Sequence, residues 1–406
     1  MKKVLIVTYS FPPFNNIASR RFGDMVEYFE DFGWDPYILT TNSIGDLPIN
    51  IAKTKIYKVG KVRSSLNTKV KTDISNDKLS LLRRKLKFTF RLVDSTYFNF
   101  YNEFKRSGFI EDFKAIKFDA IIASFGPGSS LFLGKFLAKE LNVPLVADFR
   151  DLGALHIDEP NSRNCFAIYI DKIIEKKLLQ GCAGIITVSN GLMEEIKKNY
   201  NINKTAVIYN GFNSEIEKDN LSSRENYFYY AGRFYSNQLN SVYLLLDYIA
   251  INKQYNLFIR SLGPINLEQK ILDYAANLGI SRNVMLLDPT DSLTIKHESS
   301  KALANLVVES LDDKISWKKG VLTGKLMGLL CMNPPILAIA RKDSEIGEIL
   351  NYTNKGMCLN NIEGIDNFVK KISENKGIYS SHNSKIDEFS KKSQTKKLCR
   401  FLDSII

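Results

Sequence analysis

The sequence predicts an α/β protein built from two doubly wound, Rossmann-like domains. Short apolar strands without strict polar alternation are separated by helical segments, which is typical of parallel sheets covered by helices on both faces. A polar stretch, 213–226, divides this series into two halves and is predicted to be a linker. At 406 residues, the chain is long enough for two such domains, each with its own core.

The first series occupies residues 1–212, which we expect to form the N-terminal domain. Gly33 is expected to end its first helix, and Ser129 or Ser130 to cap the second. The predicted strands are 2–10, 34–42, 118–126, 143–151, 184–189 and 204–212, and the predicted helices are 18–33, 129–142, 164–180 and 190–200.

The second series occupies residues 227–385 and is expected to form the C-terminal domain. Its predicted strands are 227–234, 255–263, 283–289, 304–310, 334–340 and 355–360, with helices between them. Doubly wound folds bind ligands at the carboxyl ends of their strands. We therefore expect the function to lie in a cleft between two such sheets.

The positive charge is concentrated in one segment. The net charge is +12, and residues 51–93 hold 13 of the 56 Lys and Arg residues but two acidic residues, so this segment accounts for +11 of it. Nucleic-acid binding usually combines basic residues with a recognisable motif, and none is found. We expect no nucleic-acid partner.

Cysteine and histidine usage argues against disulfide and zinc frameworks. The five cysteines are scattered, with no C-x-x-C pair, and the three histidines lie far apart. The amino terminus does not resemble a signal peptide, and no apolar run reaches the ~20 residues of a membrane span. These features predict a cytoplasmic protein in a reducing compartment.

Two common nucleotide-binding motifs are missing. No G-x-G-x-x-G follows a strand, which disfavours NAD and FAD. Residues 320–326 are not a P-loop, because Gly320 lies four residues before Gly324 and Leu326 stands where Ser or Thr would bind magnesium. The sequence therefore disfavours a dinucleotide cofactor and nucleoside triphosphate hydrolysis.

Two features of the second domain point to an anion. A strand leads directly into Gly232 and Arg233, where the glycine allows a close backbone approach and the arginine supplies a guanidinium. Thr323 and Gly324 precede Lys325 at the start of a predicted helix. A diphosphate between the two features is the simplest ligand, although both basic residues could instead be surface charges.

Two loops of the first domain are further candidates. Asn15 and Asn16 precede a helix predicted to begin near Arg20, where free N–H groups suit a phosphate or sugar hydroxyls, or where the loop is simply a turn with a cap. Asp148, Arg150 and Asp151 follow an apolar strand and are functional candidates. The alternative is that Arg150 forms a buried ion pair with one of the aspartates.

Seven motifs occur in an order that resembles glycosyltransferase family 4. The likeness extends over nearly the whole chain except residues 43–93, and includes the last helix, 386–406. The motifs are "VLIVTYSFPP…SRRF", "IIASFGPGSS", "VPLVADFRDLGAL", "GIITVSNGLMEEI", "VIYNGF", "YAGRF" and "GVLTGKLMGLLCMNPPILAI…SEIGEIL". Each is weak alone, and together they indicate the branch with an Asp-Phe-Arg-Asp motif.

The resemblance implies a GT-B fold and retaining transfer of a hexose or N-acetylhexosamine from a nucleotide-diphospho-sugar, with UDP-sugar favoured, and with no metal or other cofactor. It implies a donor held by the C-terminal domain, an acceptor on the N-terminal domain, and a last helix that crosses back to the latter. Arg233, Lys325 and Arg150 would be catalytic, and Asp148 and Asp151 would face the acceptor. The donor-binding residues would be Gly232, Thr323, Gly324, Asn15, Asn16, Gly263 and Glu348.

The sequence departs from the family pattern at several positions. Relatives typically have a ribose-binding glutamate where this chain has Gly328, so either a bulky group packs there or donor binding is weakened. A second base expected after Arg233 is missing, and Gln238 or a neighbour could replace it. Arg150 stands where many relatives have a histidine, and Asn15 and Asn16 where they have glycines.

The basic segment contains an amphipathic pattern over residues 78–94, with leucines at helical spacing and Lys and Arg largely opposite. Such a helix suggests binding to an anionic membrane surface, which would bring the enzyme to a lipid-linked glycan acceptor. The alternatives are packing on the N-terminal domain or docking of a partner enzyme.

Two further functions stay open at this point. A non-catalytic scaffold that binds membrane or a partner transferase would explain the missing glutamate. A nucleotide-sugar epimerase would need acid and base groups such as Asp148 and Asp151, but three histidines are few for that chemistry.

Overall fold

The structure of the chain, a computed structural model, describes residues 1–64, 97–153, 165–202, 204–213, 215–216, 224–261, 263, 265–312, 320, 322, 324–374, 378–379 and 384–406. It divides into two compact units. The first comprises Met1–Tyr209 with Lys391–Ile406, and the second Asn210–Ser390. Each contains one parallel sheet with helices around it, so the predicted pair of doubly wound α/β domains is confirmed.

The first unit is built on a seven-stranded sheet in the order β3-β2-β1-β4-β5-β6-β7. Its strands are Lys2–Thr8 (β1), Trp34–Ile44 (β2), Ile56–Ser64 (β3), Ala120–Ser124 (β4), Leu145–Phe149 (β5), Gly184–Thr187 (β6) and Thr205–Val207 (β7). Its helices are Ile17–Met25 (α1), Tyr97–Ser107 (α2), Ile110–Ile116 (α3), Ser129–Leu141 (α4), Cys165–Leu179 (α5) and Asn190–Asn199 (α6).

The second unit is built on a six-stranded sheet in the order β10-β9-β8-β11-β12-β13. Its strands are Glu225–Ala231 (β8), Asn256–Arg260 (β9), Val284–Leu287 (β10), Ala302–Val308 (β11), Ile336–Ile339 (β12) and Gly356–Leu359 (β13). Its helices are Leu239–Ile251 (α7), Ile265–Asn277 (α8), Ser292–Lys301 (α9), Gly324–Leu330 (α10), Glu345–Thr353 (α11), Ile362–Glu374 (α12) and Ser384–Asp387 (α13).

The last helix, Lys391–Asp403 (α14), packs within the first unit. Leu398 and Leu402 are fully buried in the core cluster that also contains Val4 of β1. At its C-terminal end, Trp34 donates from Nε1 to the Asp403 carboxylate at 3.1 Å. The apolar face of α14 therefore completes the core of the first unit.

Part of the basic segment belongs to the first sheet. Residues 56–64 form β3, which pairs in parallel with β2 at the sheet edge and was not predicted as a strand. Its two lysines, Lys58 and Lys61, are tolerated there because an edge strand exposes more of its surface. The amphipathic pattern predicted for 78–94 lies outside the described residues.

Two predicted helix boundaries are wrong. The first helix begins at Ile17 rather than near Arg20, and after Met25 it tightens into two 3₁₀ turns before Gly33 ends it in a left-handed conformation with φ 82°. Neither Ser129 nor Ser130 caps α4. The cap is Gly128, and both serines lie within the first helical turn, where they are fully buried.

The helices are short. The longest, α5, has 15 residues, whereas a membrane span needs about 20 apolar residues. Across the described residues, no helix is long and apolar enough to cross a bilayer.

Candidate functional site

In the second unit, the carboxyl end of β8 leads into Gly232, whose φ of +140° favours glycine. Its N–H donates to the Arg260 carbonyl of β9 at 2.8 Å. A Cβ built on Gly232 would lie 2.1 Å from Cε of Lys325. Gly232 therefore allows the Lys325 side chain to approach the backbone closely, whereas its approach to a ligand stays a prediction.

Lys325 extends from the first turn of α10 across the end of β8. Its Nζ lies 4.0 Å from the ring centroid of Tyr230, donates to the Tyr230 hydroxyl, and donates to the Arg233 carbonyl at 3.3 Å. Burial lowers the pKa of Lys325 to about 8, and the charge of Glu309 opposes this shift in part. A cation stripped of water in this way gains from binding an anion.

Arg233 is the residue after Gly232 and is exposed. Its carbonyl accepts from Tyr230 and Lys325, whereas its guanidinium lies 5.8 Å from the Tyr235 ring. Among the residues that the structure describes, no carboxylate forms an ion pair with either Arg233 or Lys325. Two cations near the same strand end are thus left for an anionic ligand.

Gly263, after β9, lies against the same turn. A Cβ built on it would be 3.5 Å from the backbone nitrogen of Phe234 and 2.9 Å from Oγ of Ser261, which accepts from the Gly263 N–H. The loop after β9 therefore approaches the turn that holds Arg233, and the donor-binding role of Gly263 stays a prediction.

Gly328 lies one turn after Lys325 on α10. A Cβ built on Gly328, or on Gly324, meets no described atom within 4 Å. No described protein group therefore packs against Gly328, and the choice between a bulky ligand group and weakened donor binding stays a prediction. Residues three apart share a helix face, so the absence of a side chain leaves space on the face of Lys325. Thr323 lies outside the described residues.

Gln238 does not replace the missing base. It is buried, and its Oε1 accepts from the Tyr235 N–H at 3.1 Å, which caps the 3₁₀ turn Ser236–Gln238. Its neighbours face a cavity of about 340 Å³, a size within the range of small-molecule sites. The cavity is lined by Asn237, Asn240, Ser310, Leu311 and Asp312.

Glu348 is exposed in the first turn of α11, whereas Glu345 of the same turn is buried. No hydrogen bond within the described residues joins Glu348 to Lys325 or Arg233. The structure therefore does not bring Glu348 into the cluster around Gly232, and its donor-binding role stays a prediction.

In the first unit, Asp148 is fully buried at the end of β5. Arg21 of α1 donates to both carboxylate oxygens at 2.6–3.1 Å, and the Ser124 hydroxyl donates at 2.8 Å. Arg21 also donates to the Ile208 carbonyl at 3.0 Å. Asp148 is therefore a structural residue that ties α1 to the sheet, not an acceptor contact. Sequence reasoning missed Arg21 as its partner.

Arg150 does not pair with an aspartate. Its guanidinium donates to the carbonyls of Phe125 and Gly126 at 2.9–3.1 Å, and burial lowers its pKa. A Cβ on Gly126, whose φ is +108°, would lie 2.5 Å from Nη2 of Arg150. Arg150 therefore fixes the loop between β4 and α4. Asp151, beside it, is exposed.

Asn16 caps α1, because its Oδ1 accepts from the Ser19 N–H at 2.7 Å and the Ser19 hydroxyl at 2.8 Å. Its side-chain amide donates to Ser10 at 3.4 Å. The interpretation as a turn with a cap fits Asn16, and Asn15 remains exposed.

Tyr230 is the site residue that sequence reasoning missed. It bridges Lys325 and Arg233 from within the strand. Its position two residues before Gly232, with the side chain on the opposite face from Tyr229, was a usable signal.

The described residues contain no group of three His, Cys, Asp or Glu side chains that could hold a metal ion.

Comparison with known proteins gives the family context of this site. Residues 18–216 match the family model described as Glycosyltransferase Family 4. No curated protein matches the chain in sequence.

Solved structures match over the full chain at low identity. Sucrose-phosphate synthase from Thermosynechococcus elongatus is 13% identical, with 100% of this chain and 99% of that chain covered and a TM-score of 0.65. A glycosyltransferase from Rickettsia africae is 15% identical, with 100% and 98% covered and a TM-score of 0.64. Anabaena HepE, solved in complex with UDP and glucose, is 13% identical, with 100% of both chains covered and a TM-score of 0.61.

At these identities, the solved structures show the fold, and the predicted GT-B architecture is confirmed. The family match extends over most of the first unit, where Arg21, Asp148 and Arg150 lie. The chain therefore has the GT-B fold, and its residues 18–216, just under half of it, match the model of Glycosyltransferase Family 4.

Proposed function

We propose that the chain is a retaining, metal-independent glycosyltransferase that moves a hexose or N-acetylhexosamine from a nucleotide-diphospho-sugar to a glycan acceptor. The observation that supports the donor class is the arrangement of Lys325 and Arg233 around Gly232. Two cations without carboxylate partners in the described ranges suit a diphosphate, which needs more than one positive group.

The same arrangement suggests the chemistry. As the bond between the sugar and the diphosphate breaks, negative charge accumulates on the leaving nucleoside diphosphate. Lys325 and Arg233 would stabilise that charge, in the place that a magnesium ion takes in other transferases. A fixed cation in a partly dry site is effective because it needs little reorganisation when the charge develops.

UDP is the nucleotide that we favour. Anabaena HepE has been solved with UDP and glucose, and TarM from S. aureus with UDP. The family resemblance supports retention and an acceptor on the first unit. The basic segment 78–94 favours a lipid-linked acceptor at the cytoplasmic face of a membrane, where the protein would bind peripherally, as part of surface polysaccharide synthesis.

A second candidate is a catalytically degenerate scaffold with the same fold. The open space at Gly328 favours it, because a lost charged hydrogen bond to the donor would cost about 1.5–3 kcal/mol. That loss would weaken the donor site by about ten- to a hundredfold without abolishing it. The lowered pKa of Lys325 and its contact with the Arg233 carbonyl favour an anion site that still functions.

Calorimetric titration with UDP, GDP, ADP and dTDP tests the proposal. We expect one nucleotide, UDP, to bind in the micromolar to sub-millimolar range without added metal and in the presence of EDTA. Lys325→Ala and Arg233→Ala should each weaken binding by about ten- to a hundredfold. Lys270→Ala, an exposed lysine on α8, is the matched control and should leave binding unchanged.

Two results would count against this proposal. Failure of all four nucleotides to bind the wild-type protein would favour the scaffold. A requirement for Mg²⁺ would contradict the metal-independent chemistry, even if UDP binds.

A further inference from the structure

Tyr230 occupies a fixed position under the two cations. It points to the face of β8 that also contains Phe228, whereas Tyr227 and Tyr229 point to the other face. Its side chain is 1% exposed, and its ring stacks on Phe234 with the centroids 4.1 Å apart. The core on one side and Phe234 on the other therefore leave the ring little freedom.

The Tyr230 hydroxyl joins both halves of the cluster. It accepts a hydrogen bond from Nζ of Lys325 and donates one to the Arg233 carbonyl at 2.8 Å. Burial raises the pKa of Tyr230 far above its usual range, so the phenol stays neutral and can donate and accept at once. A phenylalanine at this position could do neither.

These bonds leave the Lys325 ammonium with one N–H group that can bind a ligand. An ammonium group has three N–H donors. One is directed at the Tyr230 hydroxyl and one at the Arg233 carbonyl. The third remains for a ligand, and the ring face 4.0 Å from Nζ stabilises the charged form by a cation–π interaction.

We infer that Tyr230 is a positioning residue, which sets the direction of Lys325 and the conformation of the Arg233 turn so that both cations meet one diphosphate. This inference rests on the proposed function. A diphosphate binds most tightly when its cations are held in place before it arrives, because ordering them on binding would cost free energy.

The test uses three variants of the full chain and UDP as the probe. Tyr230→Phe removes the hydroxyl and keeps the ring. Tyr229→Phe is the matched control on the same strand, since its hydroxyl bonds to Glu298 on the other face. Lys325→Ala, alone and combined with Tyr230→Phe, completes a double-mutant cycle.

We expect Tyr230→Phe to weaken UDP binding by about tenfold. This is the lower end of the ten- to hundredfold range expected for losing a hydrogen bond to a charged group. In the Lys325→Ala background, the same change should have a smaller effect, because the part that acts through the lysine is gone and the part that acts through the Arg233 turn remains. Tyr229→Phe should bind UDP like the wild type. Thermal melting of all variants shows whether each remains folded.

The pH profile gives a readout that a purely structural role would not change. The groups that act on the Lys325 ammonium are the Tyr230 hydroxyl and the Arg233 carbonyl, which accept its hydrogen bonds, and Glu309, whose charge raises its pKa although no ion pair joins these two described side chains. Without the hydroxyl, the ammonium loses an acceptor, so its pKa should fall further. The pH at which UDP binding is half lost should therefore move to lower pH in Tyr230→Phe and stay in place in Tyr229→Phe.

The outcomes separate this inference from the proposed function. Loss of UDP binding in Lys325→Ala, with Tyr230→Phe unchanged in affinity and pH profile, would overturn the inference and leave the function intact. An equal loss from Tyr230→Phe with and without Lys325 would also overturn it, since the hydroxyl would then act on the fold. Failure of the wild-type protein to bind UDP would contradict both the inference on Tyr230 and the proposed function.

Discussion

Two charged clusters at strand ends behave differently in the two units. At the end of β5 in the first unit, Arg21 and Asp148 are both buried and neutralise each other, and Arg150 is bonded to backbone carbonyls. At the end of β8 in the second unit, Lys325 and Arg233 have no carboxylate partner among the described residues. Both clusters follow apolar strands, so position alone did not distinguish them.

The difference lies in how the charge is compensated. A buried ion pair with all its hydrogen bonds made contributes to a fixed structure and has little left to offer a ligand. A cation that is partly desolvated and unpaired gains free energy when an anion arrives. We therefore assign architecture to the first cluster and ligand binding to the second. The following predictions test that division, from the largest expected effect to the smallest.

Asp148→Asn should destabilise the first unit by about 3–5 kcal/mol, because it leaves the buried Arg21 guanidinium without its counter-charge. Urea unfolding followed by tryptophan fluorescence measures the free energy of unfolding. Asp151→Asn, on an exposed neighbour, should change it by less than about 0.5 kcal/mol. Comparable small effects for the two variants would contradict a structural role for Asp148.

Gly232→Ala should weaken UDP binding by about ten- to a hundredfold, close to the effect of removing Lys325 itself. The new Cβ would meet Lys325 Cε at 2.1 Å and displace it. Calorimetry measures the affinity. Gly279→Ala is the matched control, since Gly279 also has a positive φ, +70°, but has no described atom within 4 Å of its added Cβ. It should lose stability and keep its affinity for UDP.

Gly328→Glu should strengthen UDP binding by about tenfold, since it supplies the carboxylate that the family resemblance implies for this position, and the structure has space for the first atoms of the side chain. Gly328→Ala separates helix propensity from the carboxylate. It should stabilise the protein by up to about 1 kcal/mol without a gain in affinity. Weaker UDP binding by the glutamate variant would indicate that the chain binds its nucleotide in another way.

The affinity for UDP should fall by about tenfold between pH 7 and pH 9, because Lys325, with a pKa of about 8, binds an anion in its protonated form. The sign follows from the burial of Lys325, which lowers its pKa and moves its deprotonation into this range. Calorimetry at several pH values measures the fall. In Lys325→Ala the slope over this range should disappear, and a slope that persists would assign the titration to another group.

The sequence determined the architecture, because hydrophobic patterning and chain order are enough for it. Parallel strands such as β4 and β11 are mainly apolar and buried throughout, and the residues after each strand lie at one edge of the sheet. Gly232, Arg233 and Lys325 could be named for the same reason. Glycine after a strand and a basic residue at a helix start are local signals.

Tertiary structure decided which charges are paired. Arg21 and Asp148 lie 127 residues apart in the chain, and no local pattern identifies such a partner. The same holds for Tyr230 and Lys325, which are separated by 95 residues. Whether a charged side chain is a structural ion pair or an open ligand site depends on desolvation and on its nearest counter-charge, and both arise when distant strands and helices pack together.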